Sequence, residues 1–568
     1  MHALPLPEPV NESARSIDAA LPLSGGDYPG TIASASLEVE VAGATSAERR
    51  ALRVLQLGAI LVVLAAVTWK TYELDRFFIP KELVLHLTAF TGLILLRRNL
   101  RPPRFGWVDL LLALHLGLGI ASGILAVNHW NALRGIAITA SAIAVFLAAR
   151  AVSDAGLRPR LLAAVAIAVV IGCITSLLQT YGVETDFFSV NRAPGGTFGN
   201  RNFVAHMAAF GLPVLLFVTV SARNAGGWIA AAAGSAVVVA TLFLTRSRAA
   251  WLATLAALVV LLLALLLSPA LRRERGVWRR ILGITVLGAA GIAAALLVPN
   301  TLEWASASPY LDSMRDVTNY EEGSGAGRLV QYRRSLGMAG DNALLGVGAG
   351  NWGVHYAEYA GRGDPSMSGR TPGMTANPWP SSDWVTFLAE RGVAATLLLV
   401  LAVAAMAVRA MHLLFTTRDV DAALRAGTLL ATLIAAAVAG MFDAVLLLAL
   451  PAMLVFMAAG ALYDPPESRL RPGARARSIA SGVLVLVALI GAVRSVTQLV
   501  AMGIHQETND ATALRVAALV DPGNFRVHLQ LARSGSGLGR DARCAHARAA
   551  HALYPNAAEA RRLSNSCD

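Results

Sequence analysis

Residues 249–268 read AAWLATLAALVVLLLALLLS, an apolar stretch without a charged side chain. A helix of about 20 apolar residues spans the hydrocarbon core of a bilayer. Such stretches recur, and the candidate spans are 54–69, 82–96, 107–127, 133–149, 161–179, 203–220, 227–244, 249–268, 281–298, 384–408, 426–442, 444–462 and 479–499. The sequence therefore predicts an all-α fold, a polytopic membrane helix bundle of about 12–13 transmembrane helices. Residues 426–462 are either two spans or one helix broken near Asp443.

The composition of the whole chain agrees with this prediction. Of 568 residues, 55% are hydrophobic and 15% are charged, and the mean hydropathy is +0.56. Soluble domains contain about 45–50% apolar and about 25% charged residues. These values exclude a soluble protein, a disordered chain and a small scaffold held by disulfides.

The basic residues are concentrated in alternate loops. Lys and Arg number 48 against 36 Asp and Glu, which gives a net charge of +12. Many of these cations fall in loops on one side of the predicted bundle, including 97–104, 272–280 and 469–477. By the positive-inside rule this side is cytoplasmic. We therefore expect a multi-pass protein of the bacterial inner membrane with a cytoplasmic N-terminus, surrounded by membrane lipids and without a nucleic-acid partner.

This orientation divides the chain into five regions. Residues 1–48 are rich in Pro, Gly and Ser, which is typical of a disordered tail. No apolar stretch directly follows a basic start, so we expect the first span to be an uncleaved helix. The remaining regions are transmembrane helices 1–9 (49–298), a large periplasmic loop (299–383), transmembrane helices 10–13 (384–500) and a periplasmic tail (501–568).

The periplasmic tail contains an approximate repeat. Arg515–Pro522 (RVAALVDP) recurs as Arg548–Pro555 (RAAHALYP), 33 residues later. A period near 34 in Ala-rich helices resembles a tetratricopeptide repeat, which would suit a periplasmic protein partner, and an ordinary helical hairpin is the alternative. Cys544 and Cys567 lie 11 residues before and 12 after Pro555, so an antiparallel hairpin brings them together. We expect a disulfide there in an oxidising compartment, with two unrelated cysteines as the alternative.

Two motifs on the predicted periplasmic side contain candidate anion ligands. Residues 195–203 (GGTFGNRNF) precede a span, where polar side chains either cap the helix or bind an anion at its N-terminus. The turn 245–248 (TRSR) places arginines on the side that the positive-inside rule disfavours. They either reach headgroup phosphates or clamp a phosphate group, which guanidinium binds bidentately. The candidate residues in these motifs are Asn200, Arg201, Asn202, Arg246 and Arg248.

Four further motifs lie in the long loop and in the span that follows it. They are 325–332 (GAGRLVQY), 345–352 (LGVGAGNW), 377–384 (NPWPSSDW) and 387–392 (FLAERG). Aromatic and amide side chains suit sugar faces and hydroxyls, whereas aromatic residues at an interface also anchor a protein in the membrane. The candidate substrate-binding residues here are Tyr332, Asn351, Trp352, Trp384 and Glu390.

In this order the motifs resemble those of the bacterial O-antigen ligase and polymerase superfamily, over roughly residues 50–465. The shared patterns are GTFGNxNF before a helix, SRxA after the next hairpin, GRL and GVGxGN in a large loop, and LAExG at the entry of a closing helix. Members of this superfamily are inner-membrane glycosyltransferases of the GT-C type that take a glycan from undecaprenyl pyrophosphate on the periplasmic face. The resemblance implies that Arg248 is the essential arginine of SRxA and that Arg328 is the loop arginine of GRL, with Arg246 as an additional cation.

Such guanidinium groups stabilise a pyrophosphate leaving group without a metal. The sequence also shows no metal-ligand spacing. We therefore expect neither a metal nor a cofactor.

The sequence departs from the family pattern at one position. Counting back from Leu388–Gly392, the usual histidine of the family's His-Asn-Asp/Ser-Tyr motif falls on Ser381. Three interpretations remain open: Asp383 acts as the base, His355 moves in from the loop, or the chain no longer transfers glycan. A simple helix N-cap is the structural alternative for Asp383.

Three other polar residues lie within or beside the predicted spans. Polar side chains in transmembrane helices commonly hydrogen-bond to neighbouring helices. Interhelical hydrogen bonds are therefore expected for His115, His206 and Asp443.

The predicted function is transfer of a glycan to an acceptor hydroxyl in cell-surface polysaccharide biosynthesis. The acceptor is a lipid A core, as in lipopolysaccharide, a growing polysaccharide end, or a protein hydroxyl, in which case the chain is a protein O-oligosaccharyltransferase. An alternative of another class is a non-catalytic membrane scaffold of an envelope polysaccharide assembly, which the replacement of histidine by Ser381 favours.

Overall fold

The computed structural model describes residues 43–97, 105–304, 306, 308–315, 323–466 and 473–567. Thirteen of its helices coincide one by one with the predicted spans. They are Ser46–Leu64 (α1), Asp75–Arg97 (α2), Trp107–Ile124 (α3), His129–Val152 (α4), Arg158–Thr180 (α5), Arg201–Val220 (α6), Ala225–Leu244 (α7), Arg248–Leu267 (α8), Arg275–Leu297 (α9), Asp383–Thr416 (α13), Val420–Phe442 (α14), Ala449–Leu462 (α15) and Ala474–Glu507 (α16). The predicted tail 1–48 lies outside the described residues as far as residue 42.

Seven further α-helices lie in the long loop and in the tail. In the long loop they are Pro309–Arg315 (α10), Gly323–Asp341 (α11) and Trp352–Tyr359 (α12). In the tail they are Ala511–Val520 (α17), Phe525–Ala532 (α18), Arg540–Leu553 (α19) and Ala558–Asn565 (α20). The predicted all-α membrane bundle is confirmed.

Ten helical stretches of the described chain are long and apolar enough to cross a membrane. One of them, His129–Thr180, is 52 residues long and contains both α4 and α5. At 1.5 Å per residue it would measure about 78 Å, more than twice the bilayer core. Gly156, at φ +80°, interrupts it inside a short π-helical segment.

Two of the thirteen helices are not among those ten. The first turns of α1 carry charged residues, including Glu48, and α15 is only 14 residues long. Residues 443–448 separate α14 from α15, so the segment 426–462 forms two helices.

The loops lie at two opposite ends of the bundle. At one end, which we call the loop end, the backbone N–H of Asn128 donates to Asn351 Oδ1 at 2.8 Å. The α5–α6 loop lies at the same end, where Arg76 donates to the Asp186 carbonyl at 2.8 Å. At the other end, which we call the arginine end, Arg158 forms an ion pair with Asp464 at 2.7 Å. The arginine-rich loop 268–274 also lies there, because α8 runs from the loop end to the arginine end.

One continuous hydrophobic core connects the membrane helices. Within it α16 packs on α2 and α4, α13 packs on α3 and α14, and α8 packs on α14 and α6. Helix α9 lies at the periphery and packs mainly on α7. The beginnings of α6, α8 and α13 all lie at the loop end, which brings the candidate motifs to one side of the bundle.

The tail packs against the loop end through two helix pairs, α17–α18 and α19–α20. Asn128 donates to the Leu553 carbonyl at 3.1 Å, and the backbone N–H of Ala558 donates to the Pro372 carbonyl at 2.9 Å. A disulfide joins Cys544 to Cys567. The resemblance of this tail to a tetratricopeptide repeat stays a prediction.

Candidate functional site

Two of the predicted arginines converge on helix α11. Arg248 is the first residue of α8, and its Nη2 donates to Ser324 Oγ at 2.9 Å. Ser324 lies in the first turn of α11, and Arg328 lies four residues later on the same face. We call Arg248 and Arg328 the arginine clamp. Arg248 therefore contacts α11 one helical turn before Arg328, at the loop end.

Arg246 points to a different group of residues. Its backbone has φ +53°, and its Nε donates to Ser313 Oγ at 2.9 Å. Its guanidinium lies over the ring of Trp304 at 4.5 Å, and the guanidinium of Arg201 lies over the same ring at 4.9 Å. An aromatic ring attracts cations by its quadrupole, so Trp304 holds the two arginines near each other. We call Arg201, Trp304 and Arg246 the rim cluster.

Tyr310 in α10 extends the rim cluster. Its ring stacks on Phe243 with centroids 4.7 Å apart. Burial raises the pKa of the Tyr310 hydroxyl above its ordinary value, while the nearby Arg246 lowers it. The hydroxyl therefore stays protonated at neutral pH and is available as a hydrogen-bond donor.

The GGTFGNRNF loop forms a helix cap and contacts a buried lysine. Asn200 is the N-cap of α6 and accepts from the backbone N–H of Asn202 at 3.0 Å, which favours the capping role for Asn200. The Thr197 carbonyl accepts from Lys81 Nζ at 2.9 Å. Gly196 and Gly199 have positive φ, and a side chain at Gly199 would collide with the ring of Phe77.

Lys81 lies in a cavity that the sequence reasoning missed. The cavity is small, about 20 Å³, and is lined by Phe78, Lys81, Phe198, Phe203, His206, Ala444, Leu448, Ala449, Leu450 and Pro451. Lys81 is only 3% exposed and forms no ion pair with any carboxylate of the described chain. One signal pointed to it: Lys81 and Lys70 are the only lysines in the sequence, and Lys81 adjoins the predicted span 82–96. An ionisable side chain inside a membrane segment is commonly functional.

The prediction of interhelical hydrogen bonds holds for one of the two buried histidines, His115 and His206. His115 Nδ1 lies 2.7 Å from the Ala395 carbonyl of α13, so its predicted interhelical hydrogen bond is confirmed. For His206 the same prediction is wrong, because within the described chain neither ring nitrogen has a hydrogen-bond partner. His206 is nevertheless only 2% exposed. Asp443 accepts from the backbone N–H of the next residue, Ala444, at 2.9 Å.

Asp383 is fully buried at the start of α13. Its carboxylate accepts the backbone N–H groups of Val445, Leu446 and Leu447 at 2.9, 2.7 and 3.3 Å. The N-cap of α13 is the preceding residue, Ser382. This geometry favours a structural role, in which Asp383 holds the segment between α14 and α15, over the role of a base.

Three predicted sugar ligands instead form a buried clasp. Glu390 accepts the backbone N–H groups of Gly350 at 2.7 Å and Trp352 at 3.0 Å. Asn351 exchanges hydrogen bonds with the backbone of Asn128, and Trp352 Nε1 donates to Ser335 Oγ at 2.8 Å. All three predicted ligands, Glu390, Asn351 and Trp352, are buried. Their polar groups are therefore engaged in holding the long loop on α13 and on the α3–α4 turn.

The remaining candidates lie around the loop and its junction with the bundle. Tyr332 Oη lies 2.6 Å from the carbonyl of Ser381, at the position of the family histidine, and 2.7 Å from that of Met441. Trp384 Nε1 donates to the Ala437 carbonyl at 3.1 Å. His355 lies on the tail side of the loop, with Nδ1 3.5 Å from Glu358 Oε1.

Glu358 itself accepts from Asn556 of the tail at 2.9 Å. This contact links the part of the loop that carries His355 to the tail rather than to the arginine clamp.

Both arginines of the clamp lie in a stretch of sequence that matches a known family. Residues 233–400 match the family described as O-antigen ligase. The predicted family resemblance is confirmed. A search of curated proteins gave no match to the chain.

The O-antigen ligase match covers part of the stretch on which the resemblance was based. It extends from α7 into α13 and includes both arginines of the clamp, Asp383 and Glu390. The GGTFGNRNF loop, Lys81 and the tail lie outside it. The match supports an O-antigen ligase-like membrane glycosyltransferase, whereas the donor and the acceptor belong to the proposals below.

Proposed function

We propose that this protein transfers a glycan from undecaprenyl pyrophosphate to an acceptor hydroxyl on the periplasmic face of the inner membrane, in cell-surface polysaccharide biosynthesis. The observation that carries the proposal is the arginine clamp within the O-antigen ligase match. Arg248 contacts Ser324, one helical turn before Arg328, so residues from distant parts of the matched stretch meet at the first turns of α11. Planar guanidinium groups bind phosphate oxygens bidentately and remain charged at every relevant pH.

The clamp supports a specific chemical step. When the bond between sugar C1 and the pyrophosphate oxygen breaks, its electron pair stays on the pyrophosphate. Cations that are already in position stabilise this developing charge without reorganisation during the reaction. Attack by the acceptor hydroxyl from the opposite side of C1 completes a single displacement with inversion.

The distribution of arginines supports the proposed orientation. At the arginine end, the connection from α8 to α9 and the first residue of α9 carry Arg272, Arg273 and Arg275, whereas the short connections 125–128 and 443–448 at the loop end carry no arginine. The positive-inside rule then assigns that end to the cytoplasm. The loop end, with the clamp, the long loop and the tail, faces the periplasm in this proposal.

The tail favours a macromolecular acceptor. It packs on the long loop, where Asn556 donates to the carbonyl of Val354 at 3.1 Å and to Glu358 at 2.9 Å. Helical hairpins of this kind commonly bind other chains. A growing polysaccharide or a periplasmic protein is therefore the preferred acceptor, and a lipid A core is the third candidate. A protein acceptor would make the chain a protein O-oligosaccharyltransferase.

Arg248 provides the most direct test. Arg248→Ala and Arg248→Lys each replace the wild-type protein in its host, and the undecaprenyl-linked glycan and the mature surface polysaccharide are measured. We expect Arg248→Ala to accumulate the lipid-linked glycan and to lower the mature polysaccharide by roughly 100-fold or more, the scale of losing one transition-state donor. Arg248→Lys keeps the positive charge but loses the bidentate geometry. Its level of mature polysaccharide should therefore lie between those of wild type and Arg248→Ala.

Arg273→Ala is the matched control, because Arg273 is exposed in the loop between α8 and α9 at the arginine end. This variant should produce the wild-type amount of mature surface polysaccharide. If Arg248→Ala also sustains the polysaccharide, the catalytic proposal fails. A non-catalytic scaffold of the polysaccharide assembly, favoured by Ser381 and by the structural engagement of Asp383, then takes its place.

A further inference from the structure

We propose that one edge of α11 lies in the phospholipid headgroup layer at the loop end of the bundle. This edge, which we call the lipid edge, consists of Leu329, Arg333 and Leu336 of α11 and of Leu344, three residues after the helix ends. Its leucines contact acyl chains, and Arg333 binds a headgroup phosphate. The inference goes beyond the transfer reaction, because it concerns how the long loop meets the bilayer.

Helix α11 crosses the ends of three membrane helices. Near its start it contacts the first residue of α8, through the hydrogen bond that forms part of the clamp description above. In its middle, Tyr332 Oη lies 2.7 Å from the carbonyl of Met441, at the end of α14. After its end, the carbonyl of Ala343 accepts the backbone N–H of Val393 at 2.9 Å. Val393 follows the kink at Gly392, where the membrane-spanning part of α13 begins.

These contacts fix the direction of α11. Helix α14 packs against both α8 and α13, so the three helices stand side by side. Two interaxial spacings amount to roughly 16–20 Å. Helix α11 has 19 residues and is therefore about 28 Å long, enough to pass over all three. It lies along the end of the bundle, at the level where these helices leave the membrane.

Helical periodicity decides which flank of α11 faces the bilayer. Starting from Tyr332, which contacts the bundle, Leu336 and Leu329 lie about 40° and 60° further round the helix in the same direction. Arg334 lies about 160° from Leu336, on the other flank. There its guanidinium is so close to Gly361 of the long loop that a Cβ at Gly361 would lie 3.0 Å from Arg334 Nη2. The leucines therefore lie on the flank opposite the loop, which faces the bilayer beside the bundle.

The leucines are part of a continuous apolar surface. Leu329 and Leu336 are 50% and 49% exposed, and Leu344 is 85% exposed. Beside them lie Met441 and Val393, which are also exposed and belong to membrane helices. An exposed apolar surface of several residues marks an interaction site. Because this surface continues onto helices that face lipid, acyl chains are the occupant that fits both parts.

Arg333 provides the complementary charge. It is exposed and lies about 40° beyond Leu329, on the side away from the bundle. Amphipathic helices in the headgroup layer carry Lys and Arg on the polar face next to their apolar face. Such cations attract anionic lipids, and guanidinium binds a phosphate group bidentately. The lipid edge therefore combines the two features that a phospholipid surface requires, apolar contact and a phosphate ligand.

Depth measurements with a fluorophore attached at single positions test the proposal. Leu329→Cys and Leu336→Cys are each labelled in the full-length protein, in vesicles of phosphatidylethanolamine and phosphatidylglycerol. The label reacts with the introduced cysteine, because Cys173 is buried and Cys544 and Cys567 are joined in a disulfide. Lipids brominated at two positions of the acyl chain report the depth of the fluorophore, and aqueous iodide reports its exposure to water.

We expect both labels to lie about 5–10 Å into the boundary between headgroups and acyl chains, and to be shielded from iodide. Arg334→Cys is the matched control on the same helix, since it is exposed on the flank that faces the loop. Its label should be quenched by iodide and not by the brominated lipids. Leu397→Cys gives the reference for lipid, because Leu397 is exposed in the membrane-spanning part of α13.

Arg333→Glu tests the phosphate contact. Combined with Leu336→Cys, it places a negative charge beside anionic headgroups and should shift the label toward water. Arg362→Glu is the control, since Arg362 is exposed in the long loop outside α11, and it should leave the depth unchanged. Equal depth in both variants would overturn the assignment of Arg333.

Two results overturn the lipid edge. Labels at Leu329→Cys and Leu336→Cys that iodide quenches as strongly as the label at Arg334→Cys would place this edge in water. Labels shielded from both iodide and brominated lipid would show that a protein, either a second copy or another chain, covers it. The readout is depth, so each result stands whether or not Arg248→Ala retains polysaccharide.

Discussion

Replacing Asp383 by alanine should destabilise the protein rather than remove a base. The carboxylate is fully buried and accepts the backbone N–H groups of Val445, Leu446 and Leu447. These residues form the connection from α14 to α15, which lies beside the Lys81 and His206 cavity. Without the carboxylate, three N–H groups of this connection lose their acceptor inside the protein.

The distances give the expected size of the effect. Two of the bonds, at 2.7 and 2.9 Å, are short, and the third is long at 3.3 Å. A hydrogen bond to a charged group contributes about 1.5–3 kcal/mol, so the two short bonds together account for roughly 3–6 kcal/mol. Asparagine keeps one acceptor oxygen but turns an NH₂ toward the N–H donors. We therefore expect Asp383→Asn to lose about half as much.

The assay compares thermal unfolding of purified variants in detergent with transfer per folded molecule. Asp419→Ala is the matched control, because Asp419 is an exposed N-cap of α14 that accepts the N–H groups of Asp421 and Ala422. Losing such a cap costs about 1 kcal/mol. The unfolding midpoint should fall far more for Asp383→Ala than for Asp419→Ala. If Asp383→Asn unfolds like wild type but transfers about 100-fold more slowly, the carboxylate is a base and this reasoning is refuted.

Two predictions concern the tail. Changing both Cys544 and Cys567 to serine should lower the free energy of unfolding of the tail by about 3 kcal/mol, because the disulfide joins residues 23 positions apart. Trypsin should then cleave the tail faster, and an unchanged cleavage rate would contradict this prediction. His528 Nδ1 lies 3.0 Å from His546 Nδ1, and burial lowers the pKa of both. The free energy of opening of the tail, obtained from hydrogen-exchange rates corrected for their intrinsic pH dependence, should therefore fall as pH drops below about 6.5, where unfolded histidine binds protons first, and His546→Gln should reduce that dependence.

The membrane helices were predictable because a bilayer imposes length and apolarity on every span. Their ends were less predictable, since hydropathy does not detect capping. Helix α1 begins at Ser46, well before the predicted start at residue 54, because Thr45 and Glu48 form a capping box. Because the first turns of α1 contain charged residues, a search for apolar stretches does not detect where this helix begins.

The site was only partly predictable, since a side chain's bonding capacity does not identify its partner. Asn351 was predicted to bind sugar because amides suit hydroxyls, and Glu390 was a candidate as part of the FLAERG motif. In the structure the same groups bind backbone, and Asn351 reaches Asn128 across 223 residues of sequence. The arginine clamp was easier to predict, because the positive-inside rule disfavours arginines on the periplasmic side. Arginines predicted to lie there are therefore expected to have another role, such as binding an anion.

The GGTFGNRNF loop shows why a motif and a ligand site need not coincide. Its glycines adopt positive φ at Gly196 and Gly199, where a side chain would strike neighbouring helices. This close approach brings the Thr197 carbonyl to Lys81, which no motif includes. The loop therefore acts through what it positions: it begins α6, which carries His206, and it supplies an acceptor to the buried ammonium. The motif is therefore defined by backbone geometry, whereas the buried polar side chains that it positions, Lys81 and His206, lie outside it.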